Sequence, residues 1–160
     1  MAGINGLAVG FRADANVRIN KFVAMVKSTG NTSTQQAKYV KVPTANNAAG
    51  FIGVLVDHFV EPNYFVPEGT VSTTVTGTTP TLYNLAGKGM TLQVNGHGRF
   101  ICASAVAQGD ELIIADASGR VQTNNIAVGT VANVVGIAEH STSAAEDIVV
   151  ALIQPYAKKM

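Results

Sequence analysis

The second half of the chain is a series of short apolar runs cut by glycine and aspartate, and this pattern constrains the fold more than any other feature. Val106-Ala-Gln-Gly109-Asp110-Glu precedes Leu112-Ile-Ile-Ala, then Asp116-Ala-Ser-Gly119-Arg leads into Val121. Val134-Val-Gly136-Ile-Ala-Glu139 and Asp147-Ile-Val-Val-Ala-Leu-Ile153 follow. Asp116 to Gly119 has the length and residue types of a four-residue turn between paired strands, because Gly takes positive φ cheaply and Asp bonds its own backbone neighbours. The runs themselves are rich in the β-branched residues that suit a pleated surface. The pattern predicts strands and carries no chemistry.

The rest of the chain agrees. Val and Ile occupy 21 and 10 positions against 7 Leu. Met90-Thr-Leu-Gln-Val94 alternates, with Met90, Leu92 and Val94 expected inward and Thr91, Gln93 and Asn95 outward. Gly96-His97-Gly98 reads as a turn into residues 99–103. Residues 38–42 alternate with Val40 and Val42 on one face, and residues 50–56 read as a buried strand. No window keeps apolar residues at helical spacing between caps, so a turn of helix at Ser104 to Gln108 is the most that is expected.

At 160 residues the chain fits one domain that can bury a core without staples. The fold class is all-β: a small β-barrel or β-sandwich, with residues 1–20 as an extended, Gly-rich N-terminal arm and residues 21–160 as a single β-domain. An excursion at 58–88, marked by Pro62, Pro67 and Pro80, contains an exposed hairpin at Thr70 to Thr76. Asn47-Ala-Ala-Gly50 and Asn133-Val-Val-Gly136 suggest an internal repeat and two facing β-meanders.

Composition narrows the function. Charged residues are 13% of the chain, about half the usual ~25%, and 11 basic residues nearly cancel 10 acidic ones. Without a basic stripe or an aromatic stacking platform, no nucleic-acid partner is expected. The longest apolar run, Ile148 to Ile153, is far below the ~18 residues of a membrane helix, and no signal peptide is read at the start, so synthesis in a cytoplasm and no membrane partner are expected. Cys102 in Phe100-Ile-Cys-Ala reads as a small buried hydrophobe.

Catalytic and metal constellations are missing from the sequence. His58, His97 and His140 lack the short ligand spacings of zinc sites, and no G-x-S-x-G elbow or complete phosphate loop occurs. Asp110-Glu111 and Glu146-Asp147 sit beside turns, where Asp accepts local backbone bonds. No enzyme activity, metal or cofactor is expected.

The order Gly89 to Ala103, then Val106-Ala-Gln-Gly109-Asp110, Gly119-Arg-Val, Val135-Gly136-Ile-Ala-Glu and Ile148-Val-Val-Ala-Leu resembles the capsid cement, or head decoration, proteins of tailed bacteriophages over residues 89–154. The resemblance implies a small β-domain on the exterior of the virion capsid that bridges major capsid protein subunits and stabilises the assembled lattice. Low charge and high apolar content add an expectation of a homo-oligomer, dimer or trimer. Capsid or subunit contacts are expected in the two segments beyond the matched pattern, at Ile4, Leu7, Val9 and Phe11 in the arm and at Tyr64, Phe65, Val71, Val75 and Tyr83 in the excursion. The rival is a carbohydrate-binding or adhesive β-module of a tail fibre or cell surface, which needs an exposed aromatic platform; Trp is absent and only Tyr39, Tyr64, Tyr83 and Tyr156 are available.

Overall fold

The structure, a computed structural model, describes residues 6–13, 22–28, 39–56 and 89–160. Ten strands run through them: β1 Ala8–Ala13, β2 Ala24–Lys27, β3 Tyr39–Lys41, β4 Phe51–Leu55, β5 Gly89–Gln93, β6 Gly96–Ile101, β7 Glu111–Ile114, β8 Val121–Thr123, β9 Val131–Ala138 and β10 Ile148–Lys159. The expected all-β class is borne out, and no helix occurs among the described residues. At 104–108, where a helical turn was expected, Val106 is buried and exchanges backbone bonds with Thr142, which leaves its amide and carbonyl unable to start a helix.

The strands form two layers. In the first, the order β1-β3-β2-β4-β5 returns from β5 to β1, so the ring of strands closes; only the β1–β3 pair is parallel. The second is an open antiparallel sheet in the order β6-β10-β9-β7-β8. Val23, Met25, Leu55 and Leu92 fill the inside of the ring, while Ala24, Val26 and Val54 on its outer wall meet Phe100, Leu112, Val149 and Ala151 of the open sheet. Strands β2 and β4 are therefore covered on both faces. Their near-continuous apolar sequences, in place of strict alternation, follow from this.

Residues 6–13, part of the expected arm, are a wall of the ring. Strand β1 pairs with β5 through five residues, from Ala8 opposite Gln93 to Arg12 opposite Gly89, and with β3 at Arg12 and Ala13. The excursion lies outside the described residues. Its flanks do not: Leu55 pairs with Leu92, so the chain departs from the end of β4 and returns beside it in β5.

The internal repeat is not realised. Asn47 and Gly50 occupy a turn with left-handed φ of 55° and 77°, whereas Asn133 and Gly136 lie inside β9, and the two sheets differ in strand order. The turn expected at 96–98 is not there: all three residues belong to β6, and the chain reverses at 94–95 instead. Gln93, expected outward, is 2% exposed. The β5–β6 turn folds back over it, and its amide donates to the carbonyls of Asn95 (3.2 Å) and His97 (2.8 Å), satisfying the polar group that burial would otherwise penalise.

Candidate functional site

What a surface can bind or turn over depends on which of its polar side chains are already held by internal bonds. Among the described residues many polar side chains are engaged in internal bonds, and several of these hold turns. Asp110 accepts from the Ala107 amide (3.0 Å) and the Thr123 hydroxyl (2.6 Å), and Asp147 accepts from the amides of Ser143 and Ala144 (both 3.0 Å). The expected local role of these aspartates is what the geometry shows. Asp116 caps its turn by accepting from the Ser118 amide (2.8 Å), and Arg120 then joins Asp116 to Glu146 in the β9–β10 connection.

Glu111 departs from that expectation. It accepts from Lys158 Nζ (2.7 Å), the Tyr156 hydroxyl (2.6 Å) and the Asn124 amide (3.0 Å), tying β7 to the last turn of residues in β10. These three donors hold its carboxyl at about 2, well below the ordinary carboxylate range, with the Lys158 bond the largest cause. The Tyr156 hydroxyl, donating to that carboxylate, is in turn pushed up to about 12. Nothing in a single sequence links residues 45 and 47 positions apart; the only signal was period-two spacing of Tyr156 and Lys158 on one face of a strand.

Asn47 is a second joint that sequence reading missed. Its side chain donates to the Val131 carbonyl (2.7 Å) and accepts from the Asn133 amide (2.7 Å), while its backbone carbonyl accepts from the Asn133 side chain (2.8 Å). Its own amide donates to the Ile114 carbonyl (2.8 Å). The β3–β4 loop is thereby fixed to the open sheet.

Of the histidines, His97 lies on β6 with Nδ1 2.7 Å from the Glu139 carboxylate, and His140 borders a shallow surface depression of about 410 Å³ with Ser141, Thr142, Ser143, Asp147 and Ile148. His58 lies outside the described residues. Among the described residues no three His, Cys, Asp or Glu side chains come together as a metal site. Cys102 is fully buried in the shared core, as its sequence setting implied, and burial pushes its thiol above the ordinary value.

The expected contact residues divide. Ile4, Tyr64, Phe65, Val71, Val75 and Tyr83 lie outside the described residues. Val9 and Phe11 are partly buried, and Phe11 packs against the cluster inside the ring. Leu7 is 55% exposed, with its amide donating to Asn95 Oδ1 (2.6 Å) and its carbonyl accepting from Val94 (3.0 Å). Among the described residues the remaining large exposed apolar side chains are Val128, Val131, Ile148 and Leu152, all on or beside the open sheet.

Comparison with protein-family models and with curated proteins finds no match. Among solved structures, the chain is similar to the head fiber gp8.5 N base of bacteriophage phi29, at 15% identity over 92% of this chain and 93% of that one, with a TM-score of 0.45.

Proposed function

We propose that this protein is a structural component of a bacteriophage head that binds the outer surface of the assembled capsid and stabilises it by bridging major capsid protein subunits, with copies of the chain associating with one another. The observation that carries this reading is the strand order with glycine at fixed turns over residues 89–154, the part that resembles capsid cement proteins. Gly109 and Gly119 of that pattern stand at turns and Gly96 opens β6 directly after one, all with φ between 76° and 86°. A ligand that binds the assembled lattice in preference to loose subunits shifts assembly by mass action, and repeated contact on a symmetric lattice adds avidity, so no catalytic step is needed. Among the described residues, the carboxylates are held in turns and ion pairs.

The excursion at 58–88 is the proposed grip, with Val71 and Val75 as contacts, and Leu7 is the described contact at the other segment. Because β4 and β5 are neighbours where the excursion begins and ends, it is an insertion between paired strands that the ring does not need for closure. Cosedimentation with heads assembled without this protein tests the assignment. Val71→Asp with Val75→Asp should leave the domain folded and lower occupancy on heads under salt or heat stress, because a charge at an apolar contact is left unpaired. Wild-type occupancy in this variant would move the contacts to the strand surfaces.

The adhesive alternative is less well supplied. Tyr156 is bonded to Glu111, and Tyr39 starts a strand of the ring, so neither contributes to an open aromatic platform among the described residues.

A further inference from the structure

The outer face of the open sheet carries an apolar strip flanked by opposite charges. On β10, Ile148 (45% exposed) and Leu152 (38% exposed) point away from the core, with Val150 between them, and Ile137 of β9 stands directly opposite Leu152. Isolated exposed apolar residues are ordinary; four at adjoining register positions on one face are a patch. Ile101, on the same face of β6, is not part of it, since it packs against the ring cluster.

Charge runs across the strip in a fixed order. Arg99 of β6 is the register partner of Val150, and its guanidinium sits 6.0 Å from the Phe22 ring centroid, held at that edge. Glu139, just past β9, lies on the other side, with its amide donating to the Val150 carbonyl (2.9 Å). The row reads cation, apolar, anion. His97, opposite Leu152, reaches Glu139 across β10.

We propose that this face docks a second copy of the chain about a two-fold axis parallel to β10. Half a turn about that axis keeps strand direction and reverses strand order, which brings Arg99 of each copy over Glu139 of the other. An in-plane axis at right angles to β10 would set Arg99 against Arg99 and Glu139 against Glu139. A partner of a single sign would repel one flank, so the row is complementary to itself. An isologous contact of this kind closes at two subunits, which selects the dimer over the trimer. This deepens the self-association in the reading above, and its test uses purified protein alone, so that its failure is separate from a failure to bind heads.

Sedimentation velocity of the full chain should show a concentration-dependent dimer. Leu152→Lys, or Ile148→Lys in its place if the first folds poorly, should raise the dissociation constant at least ~tenfold with an unchanged far-UV spectrum. Arg99→Glu and Glu139→Arg should each weaken the dimer at low salt, and the two together should restore it, because the swapped row is again self-complementary. A chain that stays monomeric at ~100 μM, a dimer indifferent to both Lys variants, or a double swap no tighter than either single change would overturn the proposal.

Discussion

Asn47 shows how one side chain fastens a loop of the ring to the open sheet. It holds a φ of 55° that Asn tolerates and most residues do not, and from there it exchanges three bonds with Val131 and Asn133. Asn47→Ala removes two of these bonds and strains the backbone, so chemical denaturation should show a loss of about 2–3 kcal/mol. Asn47→Gly keeps the φ and loses only the side-chain bonds, so its loss should be smaller. Equal losses would mean that the conformation contributes nothing. Glu111 supplies a pH dependence. Its folded carboxyl titrates near 2 against an ordinary 4.5, so the stability it gives is present above about pH 4.5 and disappears as pH falls toward 2. Glu111→Gln should flatten that part of a melting-temperature profile. For Tyr156 the sign is opposite: with its phenol raised to about 12, its contribution holds below pH 10 and is lost between 10 and 12. Neither joint was legible in the sequence, because Asn47 and Glu111 find their partners 84 to 86 and 13 to 47 residues away, and an isolated polar residue looks the same whether it faces water or a carbonyl.

At the level of elements, the turns were the most readable part and the first strand the least. Asp116 to Gly119 is the predicted turn between β7 and β8, with the Gly119 amide donating to the Asp116 carbonyl (3.1 Å). Gly119 does more than turn the chain: a Cβ there would stand 2.6 Å from the Ala24 carbonyl oxygen, and the Ala24 amide donates to the Gly119 carbonyl (2.7 Å). Gly109 has a similar φ of 86° with open space around it. Gly119→Ala should therefore cost about 2–3 kcal/mol and Gly109→Ala about 1 kcal/mol, the difference reporting the close approach of hairpin and ring. Similar costs would place the whole effect in the turn conformation. Strand β1 escaped notice because Gly6 and Gly10 blur its alternation, although Val9 and Phe11 keep the period of two. Since β1 closes the ring between β3 and β5, deleting residues 2–16 should abolish cooperative unfolding or lower the melting temperature sharply by circular dichroism. An unaltered melt would mean that the ring does not depend on β1.

For the molecule as a whole, the two layers share one core across the outer wall of the ring, with Ala24, Val26 and Val54 packed against Phe100, Leu112 and Val149. The all-β class and the strand spacing of residues 89–154 followed from turn glycines and β-branched runs, which act locally. The ring closure and the strand order β6-β10-β9-β7-β8 did not, because long-range pairing leaves no local mark. If the protein stabilises an assembled head, the most direct measurement is the temperature at which heads release their DNA, with and without saturating protein. Decorated heads should hold their DNA to a higher temperature, and the gain should grow with free protein concentration as mass action requires. Identical release profiles at full occupancy would contradict the stabilising role.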